Sequence, residues 1–240
     1  MGGLIYGIAS YAVFFFAFLY AIAFTGNFAV AHSLDSAAPQ ISGAAFTIDI
    51  VLLGLFAVQH SIMARPWFKR RWTKIVPKPL ERSTYVLIAS VILLLLFWQW
   101  RPIGPELWNV DGSILGGLLW ILFWAGWSVV LLSTFMIDHF DLFGLRQVYL
   151  EYRGRPHTMP PFNTKGFYRF IRHPIMAGFV VAFWAAPVMS LGHLLFAIAT
   201  TVYILVAIQL EERDLARGIG APYAEYRERV PMLIPRSLGR

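Results

Sequence analysis

Oppositely charged side chains stand at the two ends of one apolar stretch in the C-terminal third of the chain. Arg172 and His173 precede the stretch, and Glu211 and Glu212 follow it. A guanidinium with an imidazole suits a carboxylate ligand, whereas a pair of carboxylates suits an ammonium or a sulfonium group. One small molecule that carries all three groups is S-adenosylmethionine. Charge placement alone leaves a second interpretation open, in which Arg172 simply pairs with the glutamates or the charges lie solvated at helix ends.

Composition places these residues in a membrane protein. Of the 240 residues, 58% are hydrophobic and only 14% are charged, and the mean hydropathy is +0.61. This composition predicts an all-α integral membrane protein, a polytopic helix bundle with five to six transmembrane segments. The length is that of a single domain, 1–240, which we divide into a four-helix membrane part, 1–137, and a cofactor-binding part, 138–240.

Several classes of site and partner are excluded by residue usage. The chain has no cysteine, which removes disulfides, thiolate metal sites and a cysteine nucleophile. The net charge of +7 resides mainly in loops beside apolar runs, so we expect contacts with anionic lipid headgroups rather than with nucleic acid. Asp138, His139 and Asp141 lack the spacing of a standard zinc site, and we expect no metal.

Four apolar runs precede a long polar connector. They cover residues 4–30, 44–63, 83–100 and 114–137, and each is long enough to cross a bilayer. The first run lacks the positive leading region of a signal peptide, so we interpret it as a retained helix. The connector, 138–172, contains three prolines and predicts irregular structure with one short helix near 143–152. Loops of this length in compact proteins are usually functional.

The last apolar run, 175–210, is too long for one crossing. As a single helix it would extend about 54 Å, against about 30 Å for the hydrocarbon core. We therefore predict a helical hairpin that breaks at 187–193, where proline, serine, glycine and histidine interrupt the run. The hairpin gives six segments, the final two short, with both termini in the cytoplasm, as the positive-inside rule requires. The basic regions that set this orientation are the loop 65–82, the connector, and the tail with Arg213, Arg217, Arg227, Arg229, Arg236 and Arg240.

The order of motifs in the C-terminal third resembles the isoprenylcysteine carboxyl methyltransferase and phospholipid methyltransferase superfamily. The matching elements are residues 166–174 (GFYRFIRHP), the apolar hairpin, the acidic pair and a tail with Gly220 and two tyrosines. The resemblance implies S-adenosyl-L-methionine as the cofactor, in a pocket that faces the cytoplasm. We favour Glu212 as the acidic contact, and Met176 stands where the family commonly has a tyrosine. The cofactor-binding residues that the resemblance implies are Arg172, His173, Pro174, Gly178, Glu211, Glu212, Tyr223 and Tyr226.

Two motifs in the first part of the chain resemble the NnrU-like branch of this superfamily. They are residues 59–66 (QHSIMARP) and residues 138–147 (DHFDLFGLRQ). The resemblance to its bacterial members implies methanethiol as the small thiol substrate, dimethyl sulfide as the product and a place in the bacterial cytoplasmic membrane. Membrane lipids are a further expected partner, and no obligate protein partner is evident. Two alternatives stay open: another acceptor (an isoprenylcysteine, a phospholipid or another thiol), and a non-catalytic accessory protein on the same scaffold.

Methylation of a thiol by a sulfonium is an in-line displacement that needs a thiolate. Alkyl thiols ionise near or above the value of about 8.5 that is typical of free cysteine, so a base is useful. Three histidines are candidates: His139, which lies between Asp138 and Asp141, together with His60 and His157. Each also has a simpler interpretation as a hydrogen-bonded structural histidine. The positive charge of the sulfonium also favours the thiolate, so a reaction without a dedicated base stays open.

Overall fold

Helices form nearly all the regular structure of this computed structural model, which describes residues 1–36, 41–162 and 164–235. The elements are α1 (Gly2–Gly26), α2 (Gly43–Ala64), α3 (Pro66–Trp72), α4 (Lys78–Gln99), β1 (Glu106–Asn109), α5 (Ile114–Ile137), α6 (His139–Leu142), α7 (Leu145–Tyr152), a 3₁₀ turn (Gly166–Arg169), α8 (Pro174–Trp184), β2 (Val188–Ser190), α9 (Leu191–Ile219) and α10 (Ala221–Arg229). Among the described residues, five helices are long and apolar enough to span a bilayer: α1, α2, α4, α5 and α9. The prediction of an all-α polytopic membrane protein is confirmed.

The predicted segments match the observed helices closely. Each of the first four apolar runs coincides with one long helix, and α5 has the predicted bounds. The fourth helix of the chain, α4, begins before its apolar run because Pro79 sits in its first turn, where the fixed φ of proline suits a helix start. The short helix predicted in the connector is present as α7. Asn163 of the connector and Arg236 and Arg240 of the tail lie outside the described residues.

The last apolar run breaks where predicted, but its two arms are unequal. The first arm, α8, has 11 residues, whereas α9 has 29. The prediction that both final segments are short is therefore wrong for α9. This helix continues past the apolar run because the residues that follow Leu210 include strong helix formers such as Glu, Arg, Leu and Ala.

Residues 185–190, which follow the short arm, are not helical. The helix α8 rises only about 16 Å over its 11 residues. The backbone groups of the residues after it need bonding partners other than those of a helix. Strand β1 supplies them, since it pairs antiparallel with β2, and the indole of Trp108 donates to the carbonyl of Ala186 (3.0 Å). The sequence did not predict this two-stranded sheet.

A buried carboxylate and a histidine fasten the tip of the hairpin. Asp35 accepts hydrogen bonds from Nδ1 of His193 and from the backbone N–H of Ser190, both at 2.7 Å. The other ring nitrogen of His193 donates to the carbonyl of Phe183 (2.9 Å). Burial raises the pKa of Asp35, but the bonds from His193 and Ser190 outweigh it and bring the pKa below its ordinary value. This interaction ties the α1–α2 loop to both arms of the hairpin.

Glycines let α8 pack closely on α5. A Cβ atom added to Gly126 of α5 would lie 2.7 Å from the backbone N of Ala182 and 2.8 Å from the carbonyl oxygen of Gly178. Such close approach of two backbones is typical of helix pairs with small residues at the interface. Two aromatic cores flank this contact. One core lies where α1, α4 and α9 meet, and the other lies between α1, α5 and α8.

Gly126→Ala tests this packing. The new methyl group has to push α8 away from α5, so we expect the free energy of unfolding to fall by about 1–3 kcal/mol. Gly117→Ala on the same helix is the matched control, because nothing lies within 4 Å of its added Cβ. It should leave stability unchanged or slightly raised. Unfolding of the purified protein in detergent measures both variants, and equal stability of the two would contradict the packing.

Candidate active site

The carboxylate of Glu212 is the centre of a charged cluster at the base of the hairpin. Its Oε1 accepts from Nε of Arg172 at 2.7 Å and from Nε2 of His173 at 3.0 Å. Its Oε2 lies 3.4 Å from Nε of Arg227. Glu212 is only 3% exposed, so these contacts replace the water that the carboxylate would otherwise bind. The structure thus joins the two ends of the apolar run that the sequence analysis singled out.

Local sequence positions the cationic side of this cluster. Pro174 occupies the first turn of α8, and its ring excludes the helical conformation for the residue before it. His173 is accordingly the N-cap, with φ −125° and ψ 64°. Arg172 and His173 therefore lie in a turn outside the helix, with both side chains directed at α9. Pro174 and His173 are buried.

The C-terminal tail folds across this turn. Two backbone carbonyls of the tail, those of Arg227 and Val230, accept from the guanidinium of Arg172 at 3.0 and 2.5 Å. The backbone N–H of Arg172 donates to the carbonyl of Pro231 (2.9 Å). Arg172 therefore serves the carboxylate and the tail together, and the tail closes one side of the site.

Two tyrosines of α10 point inward at helical spacing, three residues apart. Tyr226 donates to the backbone carbonyl of Tyr168 (2.6 Å), and the ring of Phe162 packs against both Tyr226 and Tyr223. Burial raises the pKa of Tyr226 to about 12, although Arg172 opposes the rise. The hydroxyl of Tyr223 is buried and has no hydrogen-bond partner among the described residues. A buried hydroxyl without a partner is costly, so it marks a position where a ligand can bond.

Glu211 differs from its neighbour in exposure and in partners. Its side chain is 46% exposed, and its contact within the cluster is Nδ1 of His173 at 3.8 Å. Burial raises the pKa of Tyr168 in the connector, and the charge of Glu211 raises it further. Glu211 is therefore the more open carboxylate of the pair.

Gly178 has a packing role in addition to the predicted one. A Cβ atom at this position would lie 2.7 Å from the carbonyl oxygen of Gly126 and 2.9 Å from the Val130 side chain. The contact with α5 by itself accounts for a glycine here. A direct contact of Gly178 with the cofactor stays a prediction, as does one for Pro174.

The three candidate bases lie in three different places. His139 is buried, with Nδ1 and Nε2 each 2.8 Å from a hydroxyl, those of Thr134 and Tyr11, and burial lowers its pKa. His157 contacts Asp141 at 2.6 Å on the connector. His60 lies at the end of α2 against Tyr85, whose hydroxyl is 2.9 Å from Nε2. Of the three, His60 lies beside a contact with α9, since the hydroxyl of its neighbour Ser61 donates to the hydroxyl of Tyr203 at 3.3 Å.

Some residues of the site were missed by the sequence analysis. Arg227 was counted only as a topology signal, although it contacts the buried carboxylate. Phe162 and Tyr168 lie in the connector and its 3₁₀ turn, where no periodicity marks a side chain as buried or exposed. The described residues contain no group of three or more potential metal ligands.

The acidic pair gives a direct test of this arrangement. Glu212→Gln removes the charge that balances Arg172, whose side chain is 9% exposed, and we expect a loss of about 3 kcal/mol in the free energy of unfolding. Glu211→Gln is the matched control on the adjacent residue and should change stability by less than about 0.5 kcal/mol. Chemical unfolding in detergent measures both, and a stable Glu212→Gln variant would contradict the central role of this carboxylate.

Comparison with known proteins identifies close relatives. The chain is 58% identical over 232 residues to the methanethiol S-methyltransferase of Mycobacterium tuberculosis, covering 97% of this chain and 95% of the relative. It is 54% identical over 237 residues to methanethiol S-methyltransferase 2 of Bradyrhizobium diazoefficiens, covering 99% and 91%. A third relative, the methanethiol S-methyltransferase of Crocosphaera subtropica, is 51% identical over 232 residues, covering 97% and 91%.

Two further comparisons gave no match. No protein-family model matches the chain, and no solved structure matches it. The relatives nevertheless align with nearly the whole chain, including the helices and the charged cluster, at more than half identity. The resemblance read from the motifs is confirmed, and the chain belongs to the methanethiol S-methyltransferase family.

Proposed function

We propose that this membrane enzyme transfers a methyl group from S-adenosylmethionine to methanethiol, releasing dimethyl sulfide and S-adenosylhomocysteine. The substrate follows from the names of relatives that match over nearly the full length. One observation carries the assignment of the site. Glu212 is neutralised by Arg172 and His173, whereas the adjacent carboxylate of Glu211 is 46% exposed and free to bind a ligand. The cluster builds a rigid wall, and Glu211 is the carboxylate that remains for a ligand.

The residues at the base of the hairpin fit the chemistry of the cofactor. Glu211 is suited to the ammonium or the sulfonium group, and this choice replaces Glu212, which its three partners already occupy. Arg227 is suited to the carboxylate, because its side chain is 55% exposed although it touches Glu212. The unpaired hydroxyl of Tyr223 supplies one further hydrogen bond. Bound S-adenosylmethionine supplies a methyl group on a positively charged sulfur.

The chain's own contribution to such a transfer is position and exclusion of water. In-line displacement gains most from holding the reacting atoms in contact and in line. The tail that is bonded to Arg172 closes one side of the site, and Phe162 with the two tyrosines of α10 gives that side an apolar lining. Keeping water from that side protects the reactive sulfonium from side reactions.

The orientation of the site belongs to the same proposal. The site end of α9 lies beside the loop after α2, because Arg65 pairs with Asp214 at 2.8 Å. The short helix α3, which directly follows Arg65, carries Lys69, Arg70 and Arg71. Short loops rich in lysine and arginine stay on the cytoplasmic side of a membrane. We therefore place the site at the cytoplasmic face of the bacterial cytoplasmic membrane.

Cofactor binding by the purified protein in detergent tests the site. We expect calorimetry to show one molecule of S-adenosylmethionine per chain, bound at least about tenfold more weakly by Glu211→Gln and by Tyr223→Phe, because each change removes a contact worth about 1.4 kcal/mol. Glu228→Gln, an exposed glutamate of α10, is the matched control and should bind like the wild type. Unaltered binding by Glu211→Gln would remove this residue from the site.

Product formation tests the acceptor. The purified enzyme, supplied with methanethiol and S-adenosylmethionine, should release dimethyl sulfide into the headspace and form S-adenosylhomocysteine in equal amount. Gas chromatography and liquid chromatography measure the two products. If the protein binds cofactor but forms no dimethyl sulfide, another thiol, an isoprenylcysteine or a phospholipid becomes the acceptor to test. If it binds no cofactor, the accessory-protein interpretation replaces the enzyme.

A further inference from the structure

Four rings from three helices form one cluster beside the exposed glutamate. His60 of α2 stacks on Phe56 of the same helix, with ring centroids 5.1 Å apart. The Tyr85 hydroxyl of α4 lies 2.9 and 3.0 Å from the two ring nitrogens of His60. Tyr203 of α9 meets the Phe56 ring edge to face at 6.2 Å. We call Phe56, His60, Tyr85 and Tyr203 the ring cluster.

The ring cluster lies next to the site along α2 and α9. Tyr203 precedes Glu211 by eight residues on α9, and the hydroxyl of Ser61, the neighbour of His60, donates to the Tyr203 hydroxyl at 3.3 Å. Arg65, which follows α2, pairs with Asp214 of α9 at 2.8 Å. The end of α2 that carries His60 and the part of α9 that carries Glu211 therefore lie side by side. Phe56, His60 and Tyr203 are half-buried, which leaves ring surface for a small ligand.

The described contacts of the other two candidate bases include neither Glu211 nor a member of the ring cluster. Each ring nitrogen of His139 faces a hydroxyl of α1 or α5, and its ring stacks on Phe135 at 4.3 Å. His157 is paired with Asp141, which also accepts from Arg146 at 3.0 Å. These contacts join helices and the connector. His60 is the candidate base that has an apolar ring face beside it and lies on the helix whose end meets the site end of α9 through Arg65 and Asp214.

A small thiol acceptor needs an apolar contact surface and a group that can accept its proton. Methanethiol consists of one methyl group and one thiol, so its binding energy comes mostly from apolar contact. At neutral pH a free alkyl thiol is mostly protonated, since its pKa lies near or above about 8.5. A neutral imidazole can accept the proton of a thiol. The guanidinium of Arg82 lies over the Tyr85 ring, 5.2 Å from its centroid, and that of Arg65 bonds to the carbonyl of Ser61. Their positive charges favour a thiolate, and they also oppose a lasting positive charge on His60.

We infer that the ring cluster is the acceptor site, where Phe56 and Tyr203 hold the methyl group of methanethiol and His60 removes the thiol proton. This inference rests on the proposed function. The S–H bond breaks and its proton passes to a ring nitrogen of His60. The thiolate sulfur then forms a bond to the methyl carbon while the carbon–sulfur bond of the donor breaks, and that electron pair stays on the donor sulfur. His60 releases its proton to water after dimethyl sulfide leaves.

His60→Gln tests the base. We expect kcat at pH 7 to fall by about 100-fold to 10,000-fold. The deficit should shrink as the pH rises toward 10, because the thiol then ionises without help. Calorimetry should give S-adenosylmethionine affinity within about twofold of wild type. His32→Gln, an exposed histidine of the α1–α2 loop, is the matched control and should behave as wild type.

Phe56→Val tests the acceptor contact by a different measurement. The smaller side chain enlarges the site, so the ratio of kcat/KM for ethanethiol to that for methanethiol should rise about tenfold. Leu55→Val, on the lipid-exposed side of the same helix, is the matched control and should leave the ratio unchanged. An unchanged ratio in Phe56→Val overturns the contact.

Other outcomes separate this inference from the proposed function. A His60→Gln variant with wild-type kcat, with a deficit that does not shrink at high pH, or with weakened cofactor binding overturns the role of His60 as the base. The proposed function survives all three results, because it is judged on the wild type alone. A wild type that forms no dimethyl sulfide overturns both.

Discussion

A buried carboxylate is stable only when charged hydrogen-bond donors surround it. Glu212 is such a carboxylate, and the arrangement of the site follows from the need to surround it with donors. Its donors come from the start of the hairpin and from the tail, while Glu212 itself belongs to the end of the hairpin. The contacts that neutralise Glu212 therefore also join the two ends of the hairpin and hold the tail across its base. The guanidinium of Arg172 reinforces this closure because its other N–H groups bond to tail carbonyls.

The two adjacent glutamates serve different purposes because a helix turns about 100° per residue. One carboxylate faces the turn that contains Arg172 and His173, and the other is 46% exposed. An ion-pair cluster and an open carboxylate therefore occupy one turn of α9. In the proposed reaction the cofactor side and the acceptor side meet at this turn, which suits a displacement that needs both reactants in line.

Both ends of the hairpin are held by a buried carboxylate with a histidine. At the tip, Asp35 receives His193, and at the base Glu212 receives His173. Between these two ends, Gly126 and Gly178 let α8 pack closely on α5. The chain after α8 continues into strand β2, which pairs with β1. These contacts make α8 a fixed wall of the site, even though 11 residues of helix cannot cross a bilayer.

Much of the fold could be predicted from the sequence, because apolar runs, prolines and basic loops obey the physics of a bilayer locally. The runs located the four first spans, the interruption at 187–193 located the hairpin tip, and the motifs led to the family. The sequence also showed which charges flank the hairpin. The tertiary structure alone decided that Glu212 is enclosed and Glu211 open, that Arg227 contacts the cluster, and that β1 pairs with β2. Those features depend on contacts between segments far apart in the chain, and burial and charge balance are fixed only when the segments meet.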